Sequence, residues 1–261
     1  MQDRYVGDVG DFGKYALLRR IACDDGSEAG NLRLGVVWYL FPDEDHNSDG
    51  RHVAYLEKEE FRALDPDLFD GLKSLVHADR RNVAAVAASR LLPVNTVFID
   101  ALTVIIPGAD SRSNPNNRED HRIQWLGDCL SATEGCDLVF LDPDNGIQTA
   151  SVSKRHPKAG KYAFWDEIQS YVDRGQSLVV YHHTNRTRPV SDQVYALSRD
   201  FRGRLPVGYS LFPLVFRRGS CRVFWLVLTE ELVEPVRDRV ETLLQSGWEA
   251  HFELGGESSA T

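Results

Sequence analysis

Apolar and polar positions alternate in blocks along this chain, and the blocks read as helices and strands in turn. Residues 5–22 pass from a glycine-rich loop into a helix. Tyr15, Leu18 and Ala22, with Leu17 and Ile21, fall at helical spacing, and Asp11 is the expected cap. The run from Leu34 to Phe41 predicts a strand, which empties into an acid-dense loop over 42–50. Residues 51–91 carry a helical pattern broken near Pro66 and His77, and Arg81 to Leu92 predicts one more helix, so a helical insertion spans about 51–92. Residues 96–106 contain a strand with Asp100 in it or just past it, 107–117 read as a loop, and Asp120 to Ser131 as a helix. A short β-rich run, Leu138 to Leu141, then stops at Asp142-Pro143-Asp144-Asn145-Gly146. Beyond a basic loop at 154–161, the pattern predicts a helix over 162–174 ending at Gly175, a strand over 177–181 and a helix over 190–202. Strands over 209–216 and 222–228 are joined by a hairpin turn, followed by a helix over 230–247, an edge strand over 248–254 and a flexible tail over 255–261.

Strands that alternate with helices predict an α/β fold, with a mostly parallel sheet flanked by helices and a C-terminal antiparallel hairpin. No repeat or linker interrupts residues 1–254, which are expected to form a single domain. Ligands of open α/β sheets bind beyond the carboxyl ends of the strands. The turn Asp142, Pro143, Asp144, Asn145 is therefore the first candidate site, with two carboxylates and an amide leaving one strand end. The second is the opening loop, where Gly7, Asp8, Gly10, Asp11 and Gly13 supply more than a cap requires and Lys14 reaches in from the helix. Its spacing departs from the Gly-x-x-x-x-Gly-Lys-Ser/Thr phosphate loop.

Composition narrows the classes. With 261 residues and 42% hydrophobic side chains, the chain can bury a large core. Its four cysteines show no Cys-x-x-Cys spacing, which points to reduced thiols and away from structural zinc. No apolar run approaches the ~18 residues of a membrane span, and the first residues lack a signal-peptide pattern. A cytoplasmic protein is expected. The net charge of −9 is uneven: −11 over 1–149, +8 over 150–225 and −6 over 226–261. The basic segment 150–225 follows the Asp-Pro-Asp-Asn turn directly and suits an anionic partner such as nucleic acid. The hairpin and the 248–254 edge suit pairing with a second copy, as a homodimer.

A parallel sheet closed by an antiparallel hairpin, with Asp142-Pro143 at a central strand end, resembles the class I S-adenosylmethionine-dependent methyltransferases. Their adenine-N6 members carry Asp-Pro-Pro-Tyr at the equivalent strand end. The opening Gly7-Asp8-Val-Gly-Asp11-Phe-Gly-Lys14-Tyr15 is similar to the Gly-Asn-x-x-Asp-x-x-Lys-His segment of the large-subunit ribosomal RNA adenine-N6 methyltransferases. Gly7, Asp11 and Lys14 match, while Asp8 stands for Asn and Tyr15 for His. The resemblance implies a Rossmann-like methyltransferase sheet and S-adenosylmethionine as cofactor. It further implies a pocket involving Gly7, Asp8, Asp11 and Lys14, with Asp100 on the cofactor ribose. In this reading Asp142 accepts a hydrogen bond from an amine, Pro143 fixes the turn and Gly146 lets the backbone bend. The chain departs from the family in three respects, one of them its acidic balance as a whole, with a net charge of −9. No glycine follows the first strand until Gly50, and Asp144-Asn145 replaces the Pro-Tyr whose aromatic ring stacks on a base.

Two other readings use the same residues. Asp142, Asp144, His182 and His183 offer ligands for Mg²⁺ or Mn²⁺ in a metal-dependent nuclease or phosphodiesterase. A cofactor-less binding module on a methyltransferase-like fold accounts for the missing glycine turn.

Overall fold

The computed structural model describes residues 1–23, 30–44, 50–104 and 115–255. Acidic-loop residues 45–49, most of the expected loop at 107–117 and tail residues 256–261 lie outside that description. In chain order, α1 (Val9–Ala22) leads to β1 (Leu34–Val37). Helices α2 (Glu59–Arg62), α3 (Pro66–His77) and α4 (Val83–Ala88) precede β2 (Val97–Ile99), and α5 (Pro115–Ala132) precedes β3 (Leu138–Leu141). A ribbon of β4 (Gly146–Ile147) and β5 (Tyr162–Ala163) comes next, then α6 (Trp165–Val172), β6 (Ser177–His183) and α7 (Val190–Arg202). The chain finishes with β7 (Tyr209–Arg218), β8 (Ser220–Thr229), α8 (Glu230–Leu244) and β9 (Phe252–Leu254).

Seven strands form one mixed sheet in the order β2-β1-β3-β6-β8-β7-β9. The first four are parallel, and β8, β7 and β9 then pair antiparallel in succession. Helices cover both faces, as the unbroken apolar runs of β1 and β3 require. Alternate residues separate cleanly. Leu138 and Phe140 of β3 join the core with α1, α3 and α8, while Val139 and Leu141 join Trp125, Ile168 and Phe201 from α5, α6 and α7. This is an α/β architecture with helices on either side of a central sheet. Asp142 follows Leu141, so it falls on the α1 face, and its amide extends the β1 pairing by donating to Val37 O at 2.9 Å.

Several expectations shift. The first strand ends at Val37 rather than Phe41, because Tyr39 takes φ 44° and turns the chain; Leu40 then makes a lone bridge to Leu102. The helical insertion divides into a 3₁₀ turn at Ala54–Glu57 and three short helices, and α4 covers only Val83–Ala88. Helix α5 starts at Pro115, earlier than expected, with proline at a first-turn position that needs no amide. The expected 162–174 helix loses its start to β5. Strand β6 runs on to His183, so both histidines lie in the strand rather than after it. The hairpin ladder closes to Arg218↔Ser220, leaving Gly219 (φ 68°) alone at the turn. The last helix stops at Leu244, and only Phe252–Leu254 of the 248–254 edge is strand. Asp8, not Asp11, caps α1: Asp8 has the extended backbone of a cap, and its Oδ1 accepts from Gly10 N at 2.8 Å and Asp11 N at 3.0 Å. No helix among the described residues is long and apolar enough to cross a membrane.

Candidate functional site

A cavity of about 660 Å³ opens beyond the carboxyl ends of β3 and β6. That is within the ~300–1,000 Å³ typical of small-molecule sites. Five segments wall it: the first turn of α1 with its preceding loop, Gly50 and His52 before the helical insertion, the turn after β3, the end of β6 with the loop into α7, and the start of β8 with its turn. The two candidate segments of the sequence thus share one cavity.

Their meeting point is Lys14. Its Nζ donates to Asp11 Oδ1 at 2.8 Å and to Asp142 Oδ2 at 2.7 Å. The three side chains are 4%, 2% and 2% exposed, so each charge needs its neighbours. The burial of Lys14 acts to lower its pKa, but Asp11 and Asp142 outweigh it and hold the ammonium above its ordinary value. Burial pushes the Asp11 carboxyl up to about 6; Asp8 and Asp142 add to the rise and Lys14 opposes it. Asp142 Oδ1 has no hydrogen-bond partner among the described residues, its other oxygen being held by Lys14. The Lys14 ammonium also stands 5.6 Å from the centre of the Tyr181 ring.

Asp144 is anchored differently. Its Oδ2 accepts from Gln2 Nε2 at 2.8 Å and pairs with Lys161 Nζ at 3.1 Å, and Lys161 is also paired with Glu44. Burial acts to raise the Asp144 carboxyl, but the Met1 amine and Lys161 hold it below its ordinary value. The same Met1 amine donates to Tyr39 O at 3.2 Å and Asp142 O at 3.0 Å, which fixes the ends of β1 and β3 to each other. Asn145 N donates to Lys161 O at 2.8 Å, so this turn is held by its backbone. Pro143 and Asn145 both line the cavity.

Gly146 takes φ 100°, and a Cβ there would stand 2.4 Å from His182 Nδ1. That nitrogen accepts from Ile147 N at 3.2 Å, which fixes the tautomer with the proton on Nε2. Burial lowers the His182 pKa to about 4, with His183 contributing, so the ring is neutral at pH 7.

Neighbouring strand residues point to opposite faces. His182 therefore packs on the β4 side while His183 lines the cavity. Asp142, Asp144, His182 and His183 do not converge, and no group of three or more His, Cys, Asp or Glu side chains arranged to hold a metal occurs among the described residues. Asp100 is also apart: it is exposed after the edge strand β2 and is not in the cavity wall. No residue from the carboxyl ends of β1 and β2 lines the cavity, which is displaced toward the hairpin side of the sheet. Gly7 lies behind the wall, where its carbonyl accepts from Tyr55 Oη at 3.2 Å.

The structure adds residues that pattern reading passed over. Tyr181 lines the cavity from β6; burial raises its phenol to about 12, with Arg222 and Lys14 opposing. Arg222 lines it from β8 and donates to Tyr181 Oη at 3.1 Å. A signal for Arg222 was present, since it is a lone charge at the start of an otherwise apolar strand, Val223 to Leu228. Much of the remaining basic segment is engaged within the protein: Lys154 with Asp166, Arg155 with Glu119 and Arg217 with Glu253. No family model matches this chain, and no curated protein or solved structure matches it either.

Proposed function

We propose that this protein is an S-adenosylmethionine-dependent methyltransferase-like enzyme acting on an amino group of a nucleic-acid component. One observation carries the reading. Lys14 and Asp142, each from a segment that bears the family resemblance, meet at 2.7 Å across 128 residues of chain in the wall of one cavity. The parallel half-sheet with a C-terminal antiparallel hairpin is in keeping with the Rossmann-like methyltransferase sheet that the resemblance implies.

The cavity's volume and the carboxylates of Asp8 and Asp11 in its wall suit a ligand with cationic sulfonium and ammonium groups. When bound, that cofactor supplies the activated methyl group. The ribose role implied for Asp100 is not part of this proposal, since Asp100 is outside the cavity. Asp142 Oδ1 accepts the N–H of the amine, while Lys14 on Oδ2 fixes the carboxylate rotamer. Pro143 and the Asn145 backbone bond hold the turn rigid, so alignment supplies most of the rate. With Asn145 in place of an aromatic residue, base stacking does not come from this turn.

Titration calorimetry with S-adenosylmethionine and S-adenosylhomocysteine tests the reading; no heat at millimolar ligand sinks it. Transfer of a labelled methyl group to RNA or DNA that disappears in Asp142→Ala is the expected positive result. The placement of the cavity away from the ends of β1 and β2 favours a second reading, a binding module without a cofactor. In that case neither cofactor binds and Asp142→Ala leaves nucleic-acid binding intact.

A further inference from the structure

The β8 side of the cavity has a character unlike its acidic α1 side. Arg222 is 7% exposed, yet it has no carboxylate within 4 Å among the described residues. Its Nε is held by Tyr181 Oη at 3.1 Å, and its Nη1 by the carbonyls of Arg218 at 2.8 Å and Ser220 at 2.9 Å. Its Nη2 makes no hydrogen bond among the described residues. That nitrogen lies against the first turn of α1, where a Cβ on Gly10 would come within 2.5 Å of it. Its hydrogen bonds all go to neutral groups, and the Asp8 and Asp11 carboxylates stabilise its charge only from beyond 4 Å, so an anion that pairs directly with the unspent amino group would be favoured.

Two further cations stand on the same cavity. Arg186 and Arg188 are exposed in the loop between β6 and α7 and have no carboxylate within 4 Å among the described residues. Pro189 and Val190, at the start of the 13-residue α7, line the cavity beside them, and Pro189 provides no side-chain cap for the helix. The first amides of a helix attract anions. Three cationic side chains from two walls, the β6–α7 loop and β8, together with an uncapped helix start, therefore line a pocket that also has carboxylates in its wall.

We propose that this face is a phosphate subsite, in which Arg222, Arg186 and Arg188 hold the phosphate of a nucleotide while its base lies toward Asp142. The identity of the methylated group rests on the function proposed above; the phosphate contact does not. Tyr181 is a positioning residue, holding the guanidinium plane through Nε. The shared chemistry is a nucleotide phosphate, which comes either from a free mononucleotide or from a single strand.

The test uses the full chain. Calorimetry with adenosine 5′-monophosphate against adenosine measures what the phosphate adds. Anisotropy with a labelled single-stranded RNA, across a salt series, measures the strand. The structure predicts at least about tenfold weaker phosphate binding in Arg186→Ala/Arg188→Ala. For the strand, the log–log salt slope should become shallower by about 1.4, at ~0.7 per single-strand phosphate contact. Both positions are exposed, so this variant folds even if Arg222→Met does not. Gly10→Ala, which drives a Cβ into Nη2, should weaken the same binding. Preference for the monophosphate identifies a free nucleotide, and binding of RNA alone identifies a strand. Equal affinity for adenosine and its monophosphate together with no RNA binding overturns the proposal, as does wild-type affinity and slope in the double variant. S-adenosylhomocysteine is titrated into the same samples. Its loss with phosphate binding intact sinks only the methyltransferase reading, and the converse sinks only the subsite.

Discussion

Replacing Lys14 with methionine is the most direct probe of how the site is built. Methionine fills a similar volume, so the change removes charge more than packing. Lys14 neutralises two carboxylates at 2.8 and 2.7 Å, all three groups being at most 4% exposed. At an effective dielectric of ~20, each contact is worth roughly 6 kcal/mol of gross attraction. Desolvation offsets most of this, and breaking a buried pair costs about 3–5 kcal/mol in practice. The loss in Lys14→Met is therefore about 3–5 kcal/mol at pH 7, and acid should relieve it. Asp11 already titrates near 6, through burial first and neighbouring carboxylates second, against an ordinary value of 3.8. Without Lys14 its pKa rises further. A carboxyl whose folded pKa exceeds its unfolded one binds more protons when folded, so folding gains as pH falls through that window. The cost of the substitution should shrink between pH 7 and pH 5. Urea unfolding at both values, with m-values compared, measures it. A loss under about 1 kcal/mol at pH 7 would show a pair no stronger than a surface one. A loss equal at both pH values would refute the role assigned to Asp11. Adding Asp142→Asn to the variant should recover part of the loss, because one stranded charge is then absent.

Other outcomes follow from the turn and its strand neighbour. Gly146→Ala, at φ 100° with a Cβ 2.4 Å from His182, should cost at least about 2 kcal/mol in thermal melts, the backbone penalty adding to the clash. His182→Leu leaves Ile147 N without its acceptor and should cost about 1–3 kcal/mol. His182 is held neutral by burial down to about 4, whereas the unfolded chain protonates it near 6.5, so wild-type stability should fall as pH drops through that range. In His182→Leu that part of the pH–stability curve should flatten; an unchanged slope would mean that His182 is solvated.

What the sequence disclosed depended on how local its cause was. Strand β3 and helix α7 have the predicted limits, because an apolar run ending at Asp-Pro and an amphipathic run after Pro189 are local signals. The ends of β1 and β6 were misjudged. Tyr39 at φ 44° is held by long-range bonds, and His182 enters β6 because β8 pairs with it. Asp142 and Lys14 were legible as candidate residues by type and position, but their bond to each other was not, since it spans 128 residues. Asp100 stands outside the cavity for a related reason. Its place after a strand was visible, but the side of the sheet on which the cavity opens was not. Arg222 was missed because its place in the cavity wall follows from its burial between β6 and β7, and burial is a property of the assembled sheet.

Arg222 lies between two ladders, opposite Phe216 of β7 and His183 of β6. Its direction is accordingly a question of parity. A one-residue slip of β8 against β6 and β7 would turn the guanidinium, with every other β8 side chain, to the opposite face. An insertion between α7 and β7, at 203–208, meets no such constraint, since Gly203 to Gly208 take part in no strand pairing. Length variation in related chains should concentrate there and avoid 217–222. The hairpin then acts as a ruler, its turn at Gly219 setting the register that keeps Arg222 on the cavity side of the sheet.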